Sequence, residues 1–362
     1  MSRGAANGGT IDIGFIAISQ AHQFAHWLPA ALRLAREPGV RVTVLSSTHV
    51  GADYVRSFDP DGSLRIRLLR GAGGGLFDPP WRLKVLLLNA ATFARFPVLV
   101  TTETTSSWLR HLPGFHPRMI HLKHGAGDRE GGYDPKHANF DLTLVNGPKD
   151  KQRLIDRGLG TDQNIKVVGY GKFELVRPTP ARLFANDHPI ALYNPHFDAE
   201  VATWIKHGAE VVRAMETIAD WNFVAAPHVR LRGGPVVASS APNIIIDRGS
   251  VRSIDMTYTQ GASVYMGDVS SQVYEFICTP RPCIFLNLDR RDWQDDPAYA
   301  HWHFGQVIDD LADLPAALSR ADEVQPQFEA LQRERLAASI DESPVPASER
   351  QAQAILEFAR NG

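Results

Sequence analysis

The chain has 362 residues, two to three times the common size of a domain, so we expect two domains. Its 44% hydrophobic and 22% charged residues exclude wholesale disorder, and a formal charge of -2 excludes a global basic field for nucleic acid. Two cysteines are too few for a disulfide scaffold or a zinc cluster, which indicates a reducing cytoplasm. The apolar run Ile11–Ser19 is too short to span a bilayer and lacks a signal-peptide cleavage site.

The first half alternates β-rich runs with helical patterns, which is typical of a parallel sheet with crossover helices. The predicted strands are Asp12–Ile18, Arg41–Leu45, Leu64–Leu68, Val98–Thr101, Met119–Leu122, Leu142–Val145 and Ile165–Val168. Two segments, Trp27–Arg36 and Trp81–Phe96, carry apolar residues at helical spacing. We interpret both as core helices, and the alternative for the second is a helix lying on a membrane surface, because basic residues flank it.

Two prolines, Pro178 and Pro180, mark Lys172–His188 as an interdomain linker, and a second alternation follows it. The predicted strands there are Ile190–Tyr193, Phe223–Ala226, Ile244–Ile246, Ser263–Met266 and Cys283–Leu286. The predicted helices are Ala199–Ile218, Ser250–Gln260, Ser270–Cys278 and Leu314–Arg320, with a helical tail at Gln325–Ala338 and Ala347–Phe358. The chain is therefore predicted to be an α/β protein with two doubly wound parallel sheets.

The first candidate site follows the strand at Met119–Leu122, where Lys123, His124 and Gly125 come at its carboxyl end. Open α/β sheets bind their ligands at that edge. His124 would serve as a general base if a carboxylate such as Asp128 or Glu103 orients it. The structural alternative is a histidine bound to loop carbonyls, but the glycines around it favour a close approach of substrate to the backbone.

The second candidate site is the strand end Ala-Pro-His228-Val-Arg230, where an imidazole and a guanidinium suit phosphate oxygens. The third is Gly-Asp268-Val-Ser270-Ser271, which opens a predicted helix. Free N–H groups and two hydroxyls there would hold a phosphate without a metal, although Ser270 as a plain N-cap is the structural alternative. Glu275, one turn into the helix, would accept from a ribose hydroxyl or favour the helix dipole.

Three other motifs are given a structural interpretation. Asp59-Pro-Asp61-Gly62 resembles a metal-binding Asp-x-Asp but is a good turn signal. The glycines of 71–75 lack the Lys-Ser/Thr of a phosphate-binding loop, so we expect a flexible loop. His301-Trp-His303 has no third ligand nearby. We therefore expect no metal site and no cofactor.

In their order and spacing, the three candidate sites resemble the CDP-glycerol glycerophosphotransferase family. That family lies in the GT-B superfamily with nucleotide-sugar transferases and UDP-GlcNAc 2-epimerases. The resemblance implies a catalytic base at His124-Gly125, with Asp128 beside it and His228 acting on the donor diphosphate. The residues that it implies for donor and phosphate binding are Arg230, Asp268, Ser270, Ser271 and Glu275.

The first hundred residues resemble 2-epimerases more closely, in Gln20-Ala-His22-Gln-Phe24 and in Val100-Thr-Thr-Glu103. His22, Glu103, Lys123 and Gly125 are accordingly expected to lie on the acceptor side or to support the site. An acidic residue that the epimerases carry is replaced here by Lys123, which counts against isomerase chemistry. The second site also reads Ala-Pro-His where the transferases have His-Pro-His, so the transferred group stays open.

The resemblance implies a GT-B fold of two Rossmann-like domains facing a cleft. It places an acceptor-binding domain at 1–175, a nucleotide-donor domain at 186–335 and a helical tail at 336–362. The expected reaction is metal-independent transfer of a glycerophosphate or sugar group from CDP-glycerol, or from a CMP- or UDP-sugar, to a glycan or polyol acceptor of the cell surface. The alternatives are a UDP-GlcNAc 2-epimerase and a non-catalytic nucleotide- or glycan-binding module. Nucleic acid is not an expected partner, and peripheral association with the inner membrane face stays open.

Overall fold

The structure, a computed structural model, describes residues 10–129, 132–175, 182–231 and 236–361. The chain forms two compact units. Unit 1 comprises Met1–His124, Tyr133–Leu175 and Ile340–Gly362, and unit 2 comprises Gly125–Gly132 and Val176–Ser339. Each unit is built on one sheet, and all strand pairs in both sheets are parallel. The predicted α/β class with two parallel-sheet domains is confirmed.

Unit 1 has a seven-stranded sheet in the order β3-β2-β1-β4-β5-β6-β7. Its strands are β1 (Ile11–Ala17), β2 (Val40–Ser46), β3 (Arg65–Leu68), β4 (Val98–Thr101), β5 (Arg118–Leu122), β6 (Leu142–Val145) and β7 (Ile165–Val167). The chain leaves β1 toward one edge and returns to its other side at β4, so β1 and β4 form the switch point where such sheets bind ligands. Thr101 pairs with Ile16 and with His121, so the residues after β1, β4 and β5 emerge at one edge.

Helices cover the unit 1 sheet. They are α1 (Phe24–Leu34), α2 (His49–Ser57), α3 (Arg82–Leu88), α4 (Ala90–Phe93), α5 (Pro148–Asp156), α6 (Lys172–Leu175) and, from the end of the chain, α13 (Ala347–Arg360). Trp27 of α1 packs against Phe15 of β1 with ring centroids 5.3 Å apart. Arg118 of β5 lies 4.0 Å over the ring of Phe358, which fixes α13 to this unit. Residues 176–181, within the predicted linker, lie outside the described residues.

The predicted single helix Trp81–Phe96 is wrong, because it is divided into α3 and α4 at Asn89. The Asn89 side chain donates to the carbonyls of Val85 and Arg70 at 2.8 and 3.0 Å and accepts the Arg70 N–H at 2.8 Å. These bonds satisfy one carbonyl of α3 and two backbone groups of Arg70, so Asn89 joins α3 to the chain just after β3.

Unit 2 has a six-stranded sheet in the order β10-β9-β8-β11-β12-β13. Its strands are β8 (Ile190–Tyr193), β9 (Asn222–Ala225), β10 (Ile244–Ile246), β11 (Val264–Gly267), β12 (Cys283–Leu286) and β13 (Gln306–Ile308). The switch point lies between β8 and β11, which are neighbours in the sheet. β13 was not predicted, because its sequence Gln-Val-Ile has a shorter apolar run than the three isoleucines of β10.

Unit 2 also carries helices on its sheet. They are α7 (Thr203–Glu216), α8 (Thr257–Gly261), α9 (Val273–Phe276), α10 (Leu314–Ser319), α11 (Ala321–Val324) and α12 (Pro326–Ser339). The predicted helix Ser250–Gln260 is interrupted by Met256, whose φ of 64° is left-handed. The predicted helix Ser270–Cys278 is reduced to α9, so Ser270 precedes a single helical turn. Among the described residues of both units, no helix is long and apolar enough to cross a membrane.

Candidate active site

Three side chains meet at the switch point of unit 1. Gln23 follows β1, Thr102 follows β4 and His124 follows β5. His124 Nδ1 lies 2.7 Å from the Thr102 carbonyl oxygen, so this nitrogen must carry the ring proton. His124 Nε2 therefore holds the lone pair, and the Gln23 amide nitrogen donates to it at 3.2 Å. Thr102 Oγ1 donates to Gln23 Oε1 at 3.2 Å, which fixes the amide orientation. The ring is thus held as the tautomer that accepts a proton at Nε2.

Two further histidine rings lie near His124. The rings of His22 and His26 have centroids 6.2 and 6.1 Å from that of His124. Burial lowers the pKa of His26 well below its usual value, and the nearby charges of Lys172, His124 and Lys123 lower it further. His26 is therefore neutral at neutral pH.

His124 Nδ1 donates its hydrogen bond to a backbone carbonyl, and a carboxylate beside the ring stays a prediction. The buried Glu103 carboxylate accepts the Ser106 N–H at 3.0 Å through Oε1. Asp128 accepts from Tyr274 Oη at 2.6 Å. Lys123, expected to support the site, is buried in an ion pair with Asp150 at 3.2 Å.

Unit 2 brings four basic side chains together at its own sheet edge. His196 follows β8, His228 follows β9, and Arg129 belongs to the segment Gly125–Gly132. Arg129 Nη1 lies 3.1 Å from His196 Nδ1, and its Nη2 donates to Asp198 Oδ2 at 2.7 Å. The rings of His196 and His228 have centroids 5.9 Å apart. The site therefore combines residues from two strand ends and one connecting segment.

The Arg230 guanidinium completes this basic cluster, which we define as Arg129, His196, His228 and Arg230. Arg230 lies 4.1 Å over the ring of Phe197. His228 Nδ1 accepts the backbone N–H of Arg230 at 3.1 Å, so in the neutral ring the proton lies on Nε2, the form that donates to a phosphate oxygen.

Burial and neighbouring positive charges act together on His196 in the basic cluster. Burial, followed by the charges of His228, Arg129 and Arg230, lowers the pKa of His196 to about 2. His196 is therefore uncharged at neutral pH. The bond from Arg129 holds the pKa of Asp198 below its usual range. Guanidinium groups such as those of Arg129 and Arg230 suit an anionic ligand.

Asp268 and Ser270 use their polar atoms inside unit 2. The buried Asp268 carboxylate accepts the backbone N–H of His196 and of Thr203, both at 2.8 Å, and the Thr203 hydroxyl at 3.0 Å. Burial nevertheless raises the pKa of Asp268. Ser270 Oγ donates to Asn194 Oδ1 at 2.8 Å. These groups thus join the ends of β8 and β11 to each other, and their expected role in phosphate binding stays a prediction.

Ser271 and Glu275 have different surroundings. A Cβ placed on Gly127 would lie 2.7 Å from Ser271 Cβ, so only glycine allows this close packing. Gly125, with a φ of 69°, would bring a Cβ within 3.3 Å of Ser271 Oγ. Glu275 is buried within α9. The glycine-rich segment therefore packs on the Asp-x-Ser-Ser segment rather than standing open.

The site residues that were missed from the sequence include His301, His196 and Arg129. His301, in the 3₁₀ segment Pro297–Phe304, places Nδ1 3.3 Å from Asp128 Oδ2, and its Nε2 bonds the Asp268 carbonyl at 2.8 Å. This contact anchors the segment that carries Arg129. His196 could have been predicted from the sequence, because the Asn-Pro-His that follows β8 resembles the Ala-Pro-His that follows β9. In the described ranges, no group of three or more His, Cys, Asp or Glu side chains is placed to hold a metal ion.

Buried histidines are expected to make the fold sensitive to acid. Burial lowers the pKa of His26, His121 and His196, so the unfolded chain binds protons there below about pH 6.5 while the folded chain does not. The free energy of unfolding should therefore fall by about 1 kcal/mol per histidine for each pH unit below that point. Circular dichroism melts should show a Tm that is level above about pH 7 and drops steeply toward about pH 5. His121→Phe should lessen the slope by about a third, and a level Tm throughout would contradict the three assignments.

Comparisons with known proteins support the fold. No family model matches the sequence, and a search of curated proteins found no match. Among solved structures, the wall teichoic acid polymerase TagF, as a variant with CDPG, is 11% identical with a TM-score of 0.65, covering 98% of this chain and 90% of its own. The calicheamicin glycosyltransferase CalG4 is 16% identical with a TM-score of 0.58, covering 97% and 98%. A UDP-N-acetylglucosamine 2-epimerase is 13% identical with a TM-score of 0.63, covering 98% and 97%. The expected GT-B fold is confirmed.

Proposed function

We propose that the chain is a nucleotide-sugar-utilising transferase that works without a metal ion. It moves a glycerophosphate or sugar group from a nucleotide-activated donor to a hydroxyl of a glycan or polyol acceptor. The observation that carries this proposal is the basic cluster at the switch point of unit 2. Structures with the same fold include a polymerase variant with CDPG and a calicheamicin glycosyltransferase, which supports a donor of this class.

The basic cluster suits the leaving nucleotide. When a sugar is transferred, the bond between its anomeric carbon and the diphosphate oxygen breaks, and the nucleoside diphosphate leaves. When a glycerophosphate is transferred, the P–O bond within the diphosphate breaks, and the nucleoside monophosphate leaves. In both cases the electron pair of the broken bond stays on the departing phosphate oxygen, and negative charge grows there. Arg230 and His228 supply hydrogen-bond donors, and Arg129 adds a guanidinium held by Asp198. Because these groups are fixed before the reaction, they stabilise the developing charge without reorganisation. This is the task that a divalent ion performs in other enzymes.

His124 suits the acceptor step. An acceptor hydroxyl that reaches Nε2 takes the place of the Gln23 amide and gives its proton to the ring nitrogen. The hydroxyl oxygen then forms the new bond to the donor as the nucleotide leaves. The Thr102 carbonyl keeps Nδ1 protonated throughout, so the imidazole is oriented for this single task.

A nucleotide panel tests the donor assignment. CDP, CMP, UDP or GDP should raise the Tm in proportion to its affinity, because a ligand that binds only the folded state stabilises it. Arg129→Ala and Arg230→Ala should each weaken that binding by about tenfold or more, since each removes a charge-assisted donor. Arg213→Ala, at an exposed arginine of α7, is the matched control. The absence of a Tm shift with any nucleotide would contradict the assignment. So would nucleotide binding by both cluster variants that is as tight as binding by the unmodified chain.

The second candidate function is a UDP-GlcNAc 2-epimerase, favoured by one observation. Glu103 Oε2 is buried and has no hydrogen-bond partner among the described residues. A carboxylate of this kind at a sheet edge suits removal of a proton from a sugar carbon. Incubation with UDP-GlcNAc alone distinguishes the two functions, because an epimerase reacts without an acceptor and a transferase does not.

A further inference from the structure

The segment from α3 to α4 presents apolar side chains on both of its faces. Val85, Leu86 and Phe93 are fully buried in the core of unit 1. On the outward face, Trp81 is 71% exposed, and Leu87 and Leu88 are 49% and 47% exposed. The outer face of a surface helix normally carries polar residues, so this apolar face requires an explanation.

We define the Trp81 patch as Trp81, Leu87 and Leu88, the exposed apolar side chains of α3 and of the residue before it. Asn89 joins the end of α3 to Arg70, two residues after the edge strand β3, through two hydrogen bonds. The patch therefore lies on a helix that is fixed to the edge of the sheet.

The Trp81 patch lies among positive charges that have no acidic partners. Residues 65–95 contain six basic residues and one acidic residue, Asp78, in a chain whose formal charge is -2. The six are Arg65, Arg67, Arg70, Arg82, Lys84 and Arg95. All lie within the described ranges, and none forms an ion pair with a carboxylate there. Elsewhere in unit 1, Arg33 and Arg41 do pair with carboxylates.

We propose that the Trp81 patch docks on the surface of an anionic lipid bilayer. Trp81 and the two leucines would enter the headgroup region, with α3 parallel to the membrane plane. Tryptophan prefers that region because its ring is amphipathic. The surrounding guanidinium and ammonium groups would meet anionic headgroups, each contributing about a fivefold change in partitioning. This inference is independent of the transfer reaction proposed above.

Charge argues against a second copy of the chain as the occupant. In a symmetric dimer the same patch would face itself, so like charges would lie opposite one another. The six cations would then repel across the contact. An anionic bilayer supplies the opposite charge over the whole patch. The observed combination of exposed apolar side chains and unpaired cations fits a bilayer better than self-association.

Cosedimentation of the full chain with vesicles tests the proposal. The chain should bind vesicles of phosphatidylcholine mixed with phosphatidylglycerol, and binding should weaken strongly with added salt and with phosphatidylcholine alone. The Trp81→Ser, Leu87→Ser, Leu88→Ser variant should bind at least about tenfold more weakly, because the inserted area is lost. The matched control is Val251→Ser, Val345→Ser, which changes similarly exposed apolar residues outside the patch and should bind like the unmodified chain.

Two further measurements complete the test. Lys84→Gln with Arg95→Gln should weaken vesicle binding while the Tm stays unchanged, because both side chains are exposed. Light scattering should show the same mass for the unmodified chain and the triple variant. Equal binding to neutral and anionic vesicles, no binding at all, or a dimer that the triple variant dissociates would overturn the proposal.

Discussion

Replacement of His124 by alanine is expected to lower turnover by about a hundred- to ten-thousand-fold while leaving nucleotide affinity nearly unchanged. The loss is confined to turnover because the His124 ring belongs to unit 1 and the basic cluster to unit 2. The measurement is steady-state release of nucleotide from CDP-glycerol or UDP-GlcNAc, together with calorimetric titration of the corresponding nucleoside diphosphate. A general base contributes mainly to the transition state, so kcat should fall far more than KM rises.

The control for this experiment is His116→Ala, at an exposed histidine of the same unit, which should retain full turnover. Unchanged turnover in His124→Ala would refute the base assignment, as would a loss of nucleotide binding equal to the loss of turnover.

Replacement of Asp268 by alanine is expected to cause the largest loss of stability, about 3–5 kcal/mol. The variant leaves the backbone N–H groups of His196 and Thr203 and the Thr203 hydroxyl without their acceptor, and these groups are buried. Urea denaturation followed by tryptophan fluorescence measures the effect, since Trp204 lies one residue beyond Thr203. Asp268→Asn keeps one carbonyl oxygen, so its free energy of unfolding should lie between those of the unmodified chain and Asp268→Ala.

Asp295→Ala is the matched control for the loss of a carboxylate, because Asp295 is exposed, and its denaturation midpoint should not move. An unchanged midpoint in Asp268→Ala would show that the carboxylate is dispensable to the fold. Asp268→Ala should also weaken nucleotide binding, because the His196 backbone loses its support. Asp268 is thus proposed to act on the donor indirectly, through His196.

All strands except β13 could be predicted, because most of them are short apolar runs between turn residues. The order of the strand ends then located both sheet edges. The interruptions of the helices could not be predicted, because they depend on hydrogen-bond partners that are distant in the sequence. Asn89 ends α3 by bonding to Arg70, nineteen residues earlier. The hydrophobic periodicity of one segment does not indicate a contact with a distant residue.

The candidate site residues also divide into those that the sequence could predict and those that it could not. His124 and His228 were recognisable because both follow apolar strands. The Asp128–His301 contact joins residues 173 positions apart, and only the fold brings them together. The residue types of the Asp-x-Ser-Ser segment suit a phosphate site and also an internal hydrogen-bond network. The structure shows the network for Asp268 and Ser270, and the sequence could not reveal it because the partners follow a different strand.

The most direct test of the account is a crystal structure of the chain with bound CDP or UDP, whichever raises the Tm more. The account predicts that the diphosphate lies within hydrogen-bond distance of the His228 ring and of the guanidinium of Arg230 or Arg129. A nucleotide bound anywhere other than the β8 and β9 strand ends of unit 2 would contradict it.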